Sequence, residues 1–114
     1  MSAPRLASLA YAEEFVPDND ATEAARWNGR EPGATPIGPG TGATLRLLAA
    51  TGAARSVIEI GTGCGSSGLW LLSGMPADGV LTTIDIEAEH SRAAKAAFAE
   101  AGIAHQRTRV ITGA

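Results

Sequence analysis

The chain has 114 residues, of which 45% are hydrophobic and 18% charged, which suits one domain with one core and is too apolar for a disordered chain. A net charge of -3 gives no reason to expect nucleic acid or an anionic membrane as partner, because both require clustered Lys and Arg. The single cysteine, Cys64, excludes an intrachain disulfide, and with no signal-like apolar stretch before Glu13 and Glu14 the reading is a soluble, cytoplasmic protein acting on a small molecule.

Residues 5–15 read as a short amphipathic helix, with Leu6, Leu9, Ala10 and Phe15 near helical spacing and Pro17 breaking the pattern. Asp20, with Glu23 three residues on, reads as the start of a capping box and of a second helix through Arg26 and Trp27. From Asn28 to Gly42 the density of Gly and Pro argues against any regular element and, on composition alone, for a flexible linker. Ile37 stands in the middle of that run as an apolar residue placed to pack on something. Thr41 is placed to cap a helix that carries Leu45, Leu47, Leu48 and Ala49 and stops near Gly52.

At Ser56 the periodicity changes. Ser56-Val57-Ile58-Glu59-Ile60 is a short β-branched run ending in glycines, as in a buried parallel strand. Residues 68–72 are apolar all round and predict a helix packed on the sheet, ending around Gly74 to Pro76. Asp78-Gly79 predicts a turn, residues 80–86 a second strand, and residues 89–101 a helix with Ala93, Ala94, Ala97 and Phe98 on one face and Gly102 at its end. Residues 107–112 read as a third strand. The order β-α-β-α-β implies an α/β fold, half of a doubly wound parallel sheet with right-handed crossovers and helices on its faces.

In such sheets ligands bind beyond the carboxyl ends of the strands, which directs attention to Glu59-Ile60-Gly61-Thr62-Gly63-Cys64-Gly65. Glycine there permits the sharp turn and lets a ligand approach the backbone. Residues 63–68 also fit the dinucleotide pattern G-x-G-x-x-G, with Asp85 about 20 residues further on, so an NAD-dependent oxidoreductase is the competing reading. Against it, the glycines begin directly after the strand at Gly61, and Glu59 would set a carboxylate close to a pyrophosphate. S-adenosylmethionine carries a sulfonium and an ammonium and no phosphate. Asp85 serves a ribose diol in either cofactor.

Residues 57–63 followed by Gly65-Ser66-Ser67, with residues 81–86, resemble the first and second motifs of the class I S-adenosylmethionine-dependent O-methyltransferases of the catechol and caffeoyl-coenzyme A type. Residues 68–75 and 98–102 are similar to actinobacterial members. The resemblance covers almost the whole chain and implies a Rossmann-like fold truncated after the third parallel strand, preceded by N-terminal helices. It implies that Glu59, Gly61, Thr62 and Gly63 line the methionine and ribose part of S-adenosyl-L-methionine. Ser67 would bond the methionine carboxylate or amine, Asp85 would hold the ribose hydroxyls and Ile86 would pack on the adenine. Ile37 would cover the cofactor, which turns residues 34–42 from a linker into a shaped cover.

The expected organisation is a single domain, residues 1–42 forming N-terminal helices and cover and residues 43–114 the first half of the cofactor-binding fold. The resemblance further implies a homodimer, a small hydroxylated acceptor, and a divalent metal such as magnesium whose ligands the family carries beyond the third strand. No residue of this chain is singled out as a metal ligand or as catalytic, and a sheet stopping at three strands is expected to leave an open edge and bare apolar faces. Cys64 reads as a small filler of the loop rather than a nucleophile, and His90 and His105 as surface residues. Trp27 and Trp70 read as core or interface residues, Trp27 with the option of bordering an aromatic substrate.

Overall fold

The computed structural model describes residues 2–114. In chain order the elements are α1 (Ala3–Phe15), α2 (Asp20–Asn28), α3 (Pro39–Thr51), β1 (Ser56–Ile60), α4 (Ser66–Gly74), β2 (Val80–Asp85), α5 (Ala88–Glu100), a 3-10 turn (His105–Arg107) and β3 (Thr108–Thr112).

The strands form one parallel sheet in the order β1-β2-β3. Two right-handed crossovers stepping in the same direction must place both helices on the same face. Helices α4 and α5 accordingly pack on one side, and the expectation of helices on both faces is corrected. Strand side chains alternate between faces, so Val57, Leu81 and Val110 join the core while Ile58 and Ile60 are 69% and 79% exposed. The covered face packs Leu81, Leu69, Leu72, Ala94, Ala97 and Phe98 into one cluster. A Leu of this kind contributes about 1.5–3 kcal/mol by leaving water. Gly68 lets α4 approach closely, since a Cβ there would stand 2.9 Å from the Phe98 ring.

Several boundaries differ from the sequence reading for local reasons. The cap of α2 is Asn19, not Asp20: the Asn19 side chain accepts from the Thr22 N–H, and the Thr22 hydroxyl accepts from the Asn19 N–H. Asp20 and Glu23 instead lie in the first turn, where they face the positive helix end. Thr41 is not the cap of α3, which begins at Pro39 after Gly38. Proline suits that first position because its missing N–H would be unpaired anyway. The following N–H, of Gly40, donates to the Glu13 carboxylate of α1 across 3.1 Å. Residues 39–42 are therefore helical, and only 34–38 remain extended. Helix α4 starts at Ser66 rather than residue 68, β2 stops at Asp85, and the 3-10 turn takes Arg107 out of β3.

Helix α1 buries none of its side chains, and Leu6, Leu9, Tyr11 and Phe15 are all about half exposed or more. Helix α2 lies across α4 and α5, and α3 packs along α4, where Gly42 is seated against the buried indole of Trp70. No helix among the described residues is long and apolar enough to cross a membrane.

Candidate cofactor-binding site

Strand alternation turns Glu59 toward the helix-covered side, where it is half-buried. It pairs in register with Thr83, and the Thr83 hydroxyl donates to its Oε1 across 2.8 Å. Ser67, in the first turn of α4, donates to Oε2. The Thr62 and Thr83 hydroxyls are 2.7 Å apart. Because Thr83 gives its proton to Glu59, Thr62 is the donor in that pair, and the chain runs Thr62 to Thr83 to Glu59. Burial pushes the Glu59 carboxyl above its ordinary value, and the bonds from Ser67 and Thr83 offset only part of that rise.

The glycine loop turns on Gly61, Gly63 and Gly65, with φ of 94°, 54° and 89°, the left-handed region that glycine enters without penalty. The glycines that backbone geometry requires are thus those in register with the strand end. Nothing lies within 4 Å of where a side chain would project at Gly61 or Gly63, so a ligand has open access to the main chain there.

Asp85 ends β2. Its Oδ2 accepts from the Gly63 N–H at 3.0 Å and its Oδ1 from the Glu87 N–H at 2.9 Å. Burial alone would raise this carboxyl, but the N–H groups of Glu87 and Gly63, the nearby His90 ring and the Thr62 main chain outweigh it, and the group sits below its ordinary value. The two carboxyls at adjacent strand ends are therefore pushed in opposite directions.

A cleft of about 470 Å³ beyond the strand ends is lined by Ile60, Gly61, Ile84, Asp85, Ile86, Gly113 and Ala114. Ile86, 70% exposed, presents an apolar surface beside Asp85. A larger hollow of about 670 Å³ between α1 and α3 is lined by Tyr11, Phe15 and Val16 among others. Its one carboxylate, Glu13, is already engaged at the start of α3, so the chemistry concentrates at the strand ends.

Not every expected residue presents its side chain. Thr62 is buried against Thr83, so it meets a ligand only through its main chain, and the Ser67 hydroxyl is committed to Glu59. Ile37 is half-buried, and its carbonyl accepts from the Arg26 guanidinium at 2.7 Å while Arg26 pairs with Asp18 at 2.9 Å. These bonds tie residues 34–38 down, which a free linker would not be. Cys64 is buried, with Gly29 packed directly against it. His105 is exposed as expected. His90 is not a surface residue: its side chain is 18% exposed, its Nε2 lies 2.8 Å from the Pro32 carbonyl and its Nδ1 3.7 Å from Asp85 Oδ2. Trp70 is core, whereas Trp27 is 63% exposed with the Arg30 guanidinium stacked on its ring. Among the described residues no group of three His, Cys, Asp or Glu side chains is placed to hold a metal, so no chemistry is assigned through one.

The sequence profile of the family described as O-methyltransferase matches residues 23–114. The chain belongs to that family. A Mycobacteroides abscessus protein that carries an O-methyltransferase name is 50% identical over 111 residues, covering 97% of this chain and 52% of that protein. The crystal structure of the Streptomyces achromogenes O-methyltransferase TomG, described as involved in tomaymycin synthesis and in complex with SAM, superposes with a TM-score of 0.82 at 33% identity. It is matched over 100% of this chain and 52% of its own. An O-methyltransferase from Bacillus cereus in complex with SAH gives a TM-score of 0.82 at 25% identity, over 93% of this chain and 49% of its own. This O-methyltransferase-family chain thus spans about half the length of the curated relatives it matches, and its three parallel strands are those of a Rossmann-like fold.

Proposed function

We propose that this chain binds S-adenosylmethionine and forms the cofactor-binding half of an enzyme that transfers the methyl group to the oxygen of a small hydroxylated, aromatic acceptor. The observation that carries the reading is Glu59: a half-buried carboxyl at the first strand's end, held by two hydroxyl donors and pushed above its ordinary value. A pyrophosphate there would meet a like charge in a partly dry site, whereas an ammonium or sulfonium gains from it. Membership of the family and the SAM and SAH complexes of the TomG and B. cereus proteins support the same choice.

In this reading Glu59 and Ser67 act as one unit toward the methionine end, and Gly61, Thr62 and Gly63 contribute their main chain. Asp85 accepts from the ribose hydroxyls, Ile86 packs on the adenine and Ile37 closes over the ligand. The chain's own work is positioning, holding the sulfonium where an acceptor oxygen can approach in line. Residues 2–42 act as cover and residues 43–114 as binding fold of one domain. The exposed apolar stripe of α1 supports assembly as a homodimer, and we place the protein in the cytoplasm.

Titration calorimetry with S-adenosylhomocysteine and, in parallel, NAD tests the cofactor assignment. Saturable binding of S-adenosylhomocysteine with none of NAD is expected. Binding of NAD with none of S-adenosylhomocysteine would overturn it.

A further inference from the structure

We propose that His90 is a positioning residue that couples the Asp85 carboxylate to the covering segment through the Pro32 carbonyl. The inference rests on the cofactor reading above, since it assigns Asp85 to a ribose diol.

His90 lies in the first turn of α5, and its two ring nitrogens point to different parts of the molecule. The Pro32 carbonyl can only accept, so Nε2 carries a hydrogen and donates to it across 2.8 Å. Nδ1 stands 3.7 Å from Asp85 Oδ2, too long for a hydrogen bond and close enough for the ring to bound the carboxylate on that side. The same Oδ2 accepts from the Gly63 N–H. One imidazole therefore spans Asp85, which reads the nucleoside, and the turn at 29–33, which leads into the cover.

That turn is fixed at its other end as well. Gly29 rests on the glycine loop so closely that a Cβ there would meet the Cβ of Cys64 at 2.4 Å. The Ala34 N–H returns to the Gly29 carbonyl across 3.0 Å, and the Gly33 N–H to the Arg30 carbonyl across 3.1 Å. The turn is thus a rigid piece held by the loop at Gly29 and by His90 at Pro32, with Ile37 five residues beyond the second fastening. Occupation of Asp85 by a diol and closure of the cover become linked events, because both act on the same ring. Loosening either end should weaken the other.

The test compares the parent protein with His90→Ala and His90→Gln for binding of S-adenosylhomocysteine and of its 2′,3′-dideoxyribose analogue, together with amide hydrogen exchange at residues 29–38. His90→Ala is expected to lose about tenfold in affinity for S-adenosylhomocysteine, because the ring no longer bounds the Asp85 carboxylate. It should lose little for the analogue and should exchange faster at 29–38. His90→Gln, whose amide nitrogen can replace Nε2 toward Pro32, should recover the slow exchange. A fold damaged in general would weaken both nucleosides alike and speed exchange in β2 too. Equal weakening of both nucleosides, unchanged affinity in His90→Ala, or no recovery in His90→Gln would overturn the inference. Failure of the parent to bind S-adenosylhomocysteine at all would strike the cofactor reading instead, and the exchange data would still decide the Pro32 link.

Discussion

Thr83 stands opposite Glu59 in the register of β1 and β2, and its hydroxyl donates to the carboxylate while accepting from Thr62. This three-residue chain ties a buried strand position to the carboxyl at the candidate site. Burial, which the bonds from Ser67 and Thr83 offset only in part, makes Glu59 a group whose two protonation states differ in stability.

Because the Glu59 carboxyl is raised in the folded state, the folded protein holds that proton more tightly than the unfolded chain. The associated stability is complete below the ordinary value of 4.5 and is lost as pH rises through the folded value. Glu59→Gln removes the ionisation, so at neutral pH the ligand-free variant should melt as high as the parent or a few degrees higher, at roughly 4–8 °C per kcal/mol. Its affinity for S-adenosylhomocysteine should fall by about 1.5–3 kcal/mol, the worth of a charged hydrogen bond. Thermal melts and calorimetry at one pH check both halves, and an unchanged affinity would remove Glu59 from the site.

Asp85 behaves in the opposite sense. Its carboxyl is lowered on folding, so its contribution is present above the ordinary value of 3.8 and disappears as pH falls through the folded value. Denaturant unfolding followed downward from pH 5 should show the parent losing stability in that window. Asp85→Asn should be less stable than the parent above it and show a shallower acid limb. Identical limbs would mean that the bonds from Gly63 and Glu87 add nothing net.

Thr83→Val keeps the shape of a fully buried side chain and removes the acceptor of the Thr62 hydroxyl. A buried donor left without a partner costs about 1–3 kcal/mol. Adding Thr62→Val should relieve part of that cost, so the double variant should be more stable than the sum of the singles predicts. A strictly additive cycle in urea unfolding would argue against the hydroxyl chain.

Two left-handed glycines should respond unequally to alanine. At Gly65, φ is 89° and a Cβ would stand 3.1 Å from Ala94 Cα, whereas at Gly102, φ is 75° and nothing lies within 4 Å. Gly102→Ala should cost about 1–2 kcal/mol, the backbone penalty alone. Gly65→Ala adds overpacking of about 1–3 kcal/mol on top of it. Equal losses in chemical denaturation would show that α5 yields freely.

Much of this was legible in the sequence. The strand at 56–60, the glycine loop and the acid at Asp85 announce themselves through β-branched runs and breakers, and the three strands appear where periodicity places them. What escaped were contacts between residues far apart in the chain. Nothing local to Asn28–Gly42 reveals that Arg26 and His90 hold it, so composition alone reads it as slack. Thr83 is an ordinary strand threonine until the register sets it opposite Glu59. The caps were misplaced by one to three residues, because the Asn19–Thr22 box is as good as one built on Asp20, and because the carboxylate at the start of α3 comes from another helix.

That last arrangement has a consequence for how the protein opens. Helix α3 begins at Pro39 after Gly38, which has no side chain to cap it, and its Gly40 N–H is met by Glu13, 27 positions earlier. A carboxylate that distant is in place only while α1 is docked, whereas a local cap travels with its own helix. When α1 lifts away, the first turn of α3 loses its partner and is expected to fray at the end that residues 34–38 run into. The helix that buries least of itself thereby holds the first turn of α3 in place.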